Sequence, residues 1–457
     1  MKHEEKIEKL EILNKHIHKV IIDYKEGICS YHPFDLSKDL LIIRDLDQKE
    51  YKAVCKKIPS ELFAQILVEM PDYVQEEITD IISEQKVARV TSNMDSDDAS
   101  MLIYNISLKN EEAAQTVLSK LNKDEKEVIN ELNAYDFHEA GAYMQKELFW
   151  ASIDETIGEA LKRLKEKKDL NILNNIFHAF LVDKDNTFLG SIGLEELILF
   201  ERTQKFAEIP NDRIEHYSFN EKDDIKEAVN LFSNYSLNAL AIVNSENKLL
   251  GRITHDEIRD VMQDQDTKQL YSLAGVDNKV EEVESIYKIG KNRAFWLSIN
   301  LVTAILASLV IGLFDATIQS LVALAVLMPI VASMGGNAGT QTLTVTVRQM
   351  ALGAIEYEDA KKTIYKEVII SLVNGFLFAF IIGVVSYLWF KIPLLGFVIA
   401  ASMIINLFSA GFFGAVIPLV LEKFKIDPAI GSTVILTTVT DIVGFFSFLG
   451  LATLVLL

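Results

Sequence analysis

Apolar residues recur along residues 38–135 at three- and four-residue spacings, in short runs: KEYKAVCKKI, SELFAQILVEM, VQEEITDIISEQ and SDDASMLIYNI. That period predicts amphipathic helices, with Pro59, Pro71 and the SNMDSDD turn between them. Such helix–turn–helix units, placed at near-regular intervals, predict a small α-solenoid whose neighbours stack to bury a shared face. From residue 136 the pattern becomes helix and strand in alternation. TIGEALKRLKEKK reads as helix, IFHAFLVDKDNTFLGSIG as two strands around a turn, and LEELILFERTQK as helix again. The same order returns in DDIKEAVNLFSNYS, LNALAIVNSENKLLGRIT and HDEIRDVMQDQ.

The two copies share the cores FLVDKDNTFLGSI (180–192) and AIVNSENKLLGRI (241–253), and together they resemble a tandem pair of CBS domains. That resemblance implies a cleft able to take an adenine nucleotide such as ATP, or else a structural or sensing pair. Glu257 stands where a ribose-binding Asp would sit, and Gly193 replaces the Thr that the second copy has at Thr254.

Beyond residue 290 the pattern is continuous apolarity. Ala294–Leu313, Ala316–Val347, Val368–Phe390, Ile392–Leu421 and Ala429–Leu457 are each long enough to cross hydrocarbon as a helix. Pro329 and the GGNAG run interrupt the second stretch and predict a break in it. Basic residues flank these spans on alternate sides: Lys288, Lys291 and Arg293, then Arg348, Lys361, Lys362 and Lys366, then Lys423 and Lys425. By the positive-inside rule the N-terminal region is cytoplasmic and the C-terminus lies outside, in a cell (inner or plasma) membrane.

Charge sharpens this division. The chain carries a formal net charge of −20, and residues 291–457 hold only nine bases and eight acids. The acidity therefore lies almost wholly in the first 290 residues, which argues against a nucleic-acid partner and suits inorganic cations or plain solubility. Cys29 and Cys55 are the two cysteines and give no disulfide framework or thiolate metal spacing. His16 and His18 point different ways on a helix. The first 20 residues lack the apolar core of a signal peptide.

Asp441 is the one acid in the last apolar stretch. A carboxylate near mid-bilayer costs at least ~2.5 kcal/mol, so it faces protein, a cavity or an ion. Backbone carbonyls at Gly335 and Gly336, with Asn337, Asn406, Thr437 and Thr440, would add neutral oxygens. The glycines could equally serve close helix packing, and each Thr could bond its own helix. One carboxylate with neutral oxygens and waters suits Mg²⁺. No intramembrane Cys or His offers a softer site. A divalent ion gains ~4.6 kcal/mol on entry at −100 mV, so no ATPase is needed, and no P-loop is present. The chain reads as no enzyme. An aspartyl protease would need two intramembrane carboxylates.

RAFWLSINL, PIVASMGGNAGTQTLTVTVRQMALG, KIDPAIGSTVILTTVTDIVGFF and YDFHEAGAYMQKEL resemble the MgtE-type magnesium channels. The resemblance covers nearly the whole chain. It implies a multidomain membrane protein: an N-terminal helical extension (1–37), a helical solenoid N domain (38–135), CBS domain 1 (136–200) and CBS domain 2 (201–262), both α/β, a plug-like connecting helix (263–292) and a five-helix transmembrane pore domain (293–457). It also implies a homodimer with one pore between subunits, in which Asp441 recognises hydrated Mg²⁺ and Asn337 falls on the asparagine of the glycine-rich segment. Cytoplasmic acids would bind Mg²⁺ and close the gate. Here Asp97, Asp98, Asp224, Asp256, Glu257, Asp260, Asp264 and Asp266 remain acidic, but Gln65, Met101, Gln263, Gln265, Lys268 and Gln269 stand where carboxylates are expected. Metal-dependent gating weaker than the family norm is the resulting expectation. Transport of Co²⁺ or Mn²⁺, Na⁺-coupled Mg²⁺ exchange, and a CBS-bearing membrane sensor that moves no ion are the alternatives.

Overall fold

Polar caps and prolines set many of the helix starts in the first 135 residues. In the computed structural model of the chain, residues 3–28, 31–170, 172–173, 175–274, 276, 286–351, 355, 360–429 and 431–456 are described. They divide into two compact units, 1–262 and 263–457. The first unit opens with α1 (His3–Lys25), α2 (Pro33–Leu46), α3 (Gln48–Lys57), α4 (Ser60–Val68), α5 (Asp72–Glu76), α6 (Ile78–Ile81), α7 (Glu84–Thr91), α8 (Ser96–Lys109), α9 (Glu111–Lys120) and α10 (Lys123–Leu132). Asp47, Ser83, Asn110 and Asn122 cap α3, α7, α9 and α10 by accepting from backbone N–H groups in the first turn. The end of α3 is held by Lys86, whose Nζ donates to the carbonyls of Cys55, Lys56 and Ile58 at 2.9, 2.9 and 2.6 Å.

Two boundaries differ from the sequence reading. The extension is not separate: Leu13, Ile17 and Val20 of α1 share one core with Leu36, Leu40 and Phe63, and α2 runs straight through the 37/38 boundary. VQEEITDIISEQ splits into α5 and α6 because Glu77 ends one turn and begins the next. Cys29 lies outside the described residues.

Residues 150–273 hold two copies of one motif. The first runs β1 (Trp150–Ser152), α11 (Ile157–Asp169), β2 (His178–Val182) and β3 (Phe188–Gly193). The second runs β4 (Ser218–Asn220), α12 (Ile225–Tyr235), β5 (Ala239–Val243), β6 (Leu249–Thr254) and α13 (His255–Leu273). In each three-stranded sheet a short parallel strand pairs with the first strand of a hairpin; β1 and β4 were too short to show in the sequence pattern. The hairpin turns hold Asn186 and Asn247 at positive φ (62° and 59°), where Asn is tolerated. Each then reaches into the other copy: Asn186 Nδ2 donates to Leu249 O at 3.0 Å and Asn247 Nδ2 to Phe188 O at 2.9 Å. Phe180, Val182, Phe188, Ala241, Val243 and Leu249 close a core between the copies.

The helix expected over LEELILFERTQK is reduced to a single 3₁₀ turn at Glu196–Leu199. The chain leaves it to cross the start of α11, where Ile157 N and Gly158 N donate to Gln204 O and Arg202 O. A Cβ on Gly158 would lie 2.8 Å from Arg202 O, so this crossing requires glycine.

The second unit contains five helices long and apolar enough to span a membrane: Ile286–Gly312, Ala323–Ala351, Ala360–Phe390, Pro393–Lys423 and Ser432–Leu456. The fourth is the hub, with over half of its apolar window buried, whereas the first is almost wholly exposed. The connecting helix expected over 263–292 is not a separate element among the described residues. Residues 263–273 continue α13, residues 286–292 begin the first span, and 277–285 lie outside the description. The break expected in the second span is also absent: Ala323–Ala351 is one helix that carries Pro329 and the three glycines within it.

Candidate functional site

The glycines of the second span serve contact rather than unwinding. Gly335 faces Asn406 of the fourth span, and a Cβ there would meet Asn406 Nδ2 at 2.3 Å. Gly444 of the fifth span faces the same amide from another helix, at 2.8 Å. Asn406 is wholly buried between them and donates to Val331 O at 2.8 Å, while its Oδ1 has no partner among the described residues. Gly339 packs against Leu436 of the fifth span. Asn406, expected at a pore, is thus an internal tie among three helices. Thr440 is also fully buried, with its hydroxyl donating to the carbonyls of Leu436 and Thr437 on its own helix.

The outward face of the second span is polar. Ser333, Asn337, Thr340, Gln341 and Thr344 are exposed, and at 100° per residue they fall within a single narrow arc. Asn337 Nδ2 donates to Ser333 Oγ at 3.3 Å, which holds it along that arc. Gly336 is partly exposed, and no side chain comes near it. On the fifth span Thr437, Thr438 and, one turn on, Asp441 are half-exposed. Both threonine hydroxyls are turned back to Val434 O, at 3.1 and 2.6 Å, which leaves the carboxylate as the charged group of that face. The second and fifth spans therefore present oxygen-bearing faces that a single chain leaves uncovered.

At the end of these helices α13 makes two ties within the second unit. Asp266 Oδ1 pairs with Arg348 Nη1 at 2.7 Å, and Thr433 Oγ1 donates to Leu273 O at 2.9 Å. Leu273 packs on Leu343, Val347, Ile417 and Leu436.

In the first unit the anticipated acids only partly converge. Asp97 and Asp98 open α8, near Glu257 and Asp260 of α13, and Asp95 and Glu147 join them. Burial and the carboxylates of Asp98 and Glu257 hold Asp97 well above the usual carboxylate range. Burial, then Asp95 and Glu257, push Asp98 up to about 7. Elsewhere, Asp224 caps α12 by accepting from Lys226 N, and Asp256 lies 4.0 Å from Arg259. Asp264 and Asp266 belong to the second unit. No three His, Cys, Asp or Glu side chains among the described residues form a ready metal cage. His16 is taken up by Asp39, 2.7 Å away.

Residues 328–451 match the family described as MgtE, divalent cation transporter; residues 32–138 match its intracellular N domain; and residues 140–202 and 208–264 match CBS domains. The chain is 30% identical to the magnesium transporter MgtE of Enterococcus faecalis over 327 residues, 71% of each protein. The chain belongs to the MgtE family. The MgtE of Bacillus subtilis is 26% identical over 433 residues, covering 95% of this chain and 94% of that one. Among solved structures, the soluble part of a magnesium transporter aligns at a TM-score of 0.49 and 21% identity, over 57% of this chain and 99% of that one. The cytosolic domain of the Mg²⁺ channel MgtE in complex with ATP aligns at 0.46 and 21%, over 51% and 91%. This MgtE-family chain is a multi-pass membrane protein with a helical N domain and a CBS pair. Gln145, Glu147 and Arg252 were missed in the sequence because each lies far along the chain from the acids it meets, whereas Asp95, three residues before Asp98, was read only as part of the SNMDSDD turn.

Proposed function

We propose that this chain conducts Mg²⁺ across the cell membrane down its electrochemical gradient, as a homodimer with one pore between subunits. The observation that carries this reading is the polar arc Ser333–Asn337–Thr340–Gln341–Thr344, exposed on a membrane helix and packed beside the span bearing Asp441. Exposed polar groups and a carboxylate are costly against lipid and are tolerated where they line a water-filled path. Asp441 meets the ion, Asn337 and Thr437 contribute neutral oxygens or hold its waters, and the backbone at Gly336 leaves room for them. A hydrated Mg²⁺ needs few direct carboxylates. The basic flanks support a topology with the N-terminal domains in the cytoplasm and the C-terminus outside. The acids at Asp97, Asp98, Glu257 and Asp260 regulate the gate through α13.

Asp441→Ala is expected to abolish Mg²⁺-dependent growth rescue of an uptake-deficient cell while leaving expression and assembly intact. Normal rescue would sink the reading. Rescue assays with Co²⁺, Mn²⁺ or an imposed Na⁺ gradient separate the alternative cargoes.

The CBS pair offers a cleft of about 400 Å³ lined by Trp150, Lys146, Lys167, Leu173, Asn186 and Leu250. The Trp150 ring and the Lys167 ammonium suit the base and phosphates of an adenine nucleotide; Lys146 is paired with Glu131 at 2.7 Å, and Glu147 also lines the cleft. Glu257 is not free for a ribose, since Thr254 N and Gln145 Nε2 donate to it at 2.7 Å each. ATP is expected to bind in equilibrium dialysis and to be lost in Lys167→Glu. Equal binding by that variant would rule out this cleft.

A further inference from the structure

Arg252 is an unusual residue to find wholly buried in a strand. It lies on β6, 2% exposed, and its backbone pairs with Gln145 in both directions, at 2.7 and 2.9 Å. Its Nη1 donates to Asn175 O at 2.9 Å and its Nη2 to Gln145 Oε1 at 3.0 Å. The other end of the same amide donates to Asp97 Oδ2 at 3.2 Å and to Glu257 Oε1 at 2.7 Å. Gln145 therefore relays one guanidinium to two carboxylates, one on α8 and one on α13. Two residues on, Glu147 Oε2 accepts from Ser96 N and Ser96 Oγ at 3.1 and 2.8 Å, fastening the first turn of α8 to the same segment. Asp95 and Glu147 also lie within electrostatic reach of Arg252.

A buried guanidinium is tolerated only when paired and hydrogen-bonded, and a set of buried carboxylates separates unless a cation stands among them. Arg252 supplies that cation covalently. It is fixed by its strand, cannot be chelated, and presents a planar fork that one amide can relay.

We propose that Arg252 is a resident cation that holds the start of α8 against the second CBS copy, so that this apposition stands without any bound metal. The proposal deepens the regulatory part of the function above and rests on that reading for its consequence: this part of the cytoplasmic assembly is closed at low and high Mg²⁺ alike. Any Mg²⁺ response then arises at Asp98 and Asp260, which the Gln145 relay does not reach, or beyond 262.

Hydrogen exchange on the full-length protein in lipid nanodiscs tests it, in excess EDTA and in millimolar Mg²⁺, at the amides of Ser96–Asp98 and Gln145. In the wild type their protection is expected to be the same in both. In Arg252→Met, exchange there is expected to rise roughly tenfold or more in EDTA and to be restored by Mg²⁺. Loss of protection in the wild type on chelation would overturn the proposal, as would full protection of Arg252→Met in EDTA. Should Arg252→Met fail to fold, the wild-type comparison still decides. Arg252→Lys, which keeps the charge without the fork, retains part of the protection; exchange as fast as in Arg252→Met would count against the role of charge. The readout involves no flux, so a transport failure in Asp441→Ala leaves this test unaffected.

Discussion

Asn406 shows how a residue read from sequence as an oxygen donor can be spent on packing. Its amide fills the space that Gly335 and Gly444 leave by lacking a Cβ, and its Nδ2 bonds Val331 O. The unpaired Oδ1 costs about 1–3 kcal/mol, which the fit of three helices must offset. Gly335→Ala would place a methyl 2.3 Å from Nδ2, and Gly444 closes the other side, so the amide has nowhere to retreat. Overpacking of this kind costs about 1–3 kcal/mol. Gly335→Ala is therefore expected to lower the thermal midpoint in detergent, while Gly336→Ala, with open space around it, leaves the midpoint unchanged. In an Asn406→Ala background the cost of Gly335→Ala should largely vanish, since the partner is gone. Additive effects in that cycle would show that the tie is not what the glycine accommodates.

At the scale of elements, what the sequence revealed depended on the range of the forces involved. The helices around KEYKAVCKKI and SDDASMLIYNI were legible because their apolar spacing is local, as is the Asp47 cap of the first. The hairpins β2–β3 and β5–β6 were legible because the pattern occurs twice. LEELILFERTQK misled because its helical period is genuine but the crossing at Gly158 takes up the carbonyls of Arg202 and Gln204, and the chain turns at 201–204 instead of continuing a helix. The second span misled in the opposite direction. Glycine and proline signal a break in water, yet here the fourth and fifth spans pack closely against Gly335 and Gly339 and the helix continues. Asp441 was visible because it is the one charge in a largely apolar stretch of 29 residues. The cluster around Arg252 was hidden for the converse reason: Asp97, Gln145, Arg252 and Glu257 span over 150 positions, and only the folded chain brings them together.

For the whole molecule, the polar arc of the second span must find a cover. A single chain leaves Asn337 and Gln341 exposed on a helix whose length matches the bilayer, so a second copy or enclosed water must meet them. A dimer that faces these arcs toward each other satisfies both needs and brings two Asp441 carboxylates to one path. Cysteine chemistry can test this with little change to the protein. Cys55 is fully buried, and burial pushes its thiol up to about 12, so it stays inert to oxidants at neutral pH. With Cys29→Ser as background, Asn337→Cys is expected to cross-link into dimers in native membranes under mild oxidation. Phe380→Cys, on an exposed apolar face of the third span, is expected not to. The Asn337→Cys bond should also block Mg²⁺ uptake, with reduction restoring it, because it closes the path the two arcs share. Cross-linking at Phe380 with none at Asn337 would place the dimer contact on the third span and leave the arc facing a water-filled path within one chain.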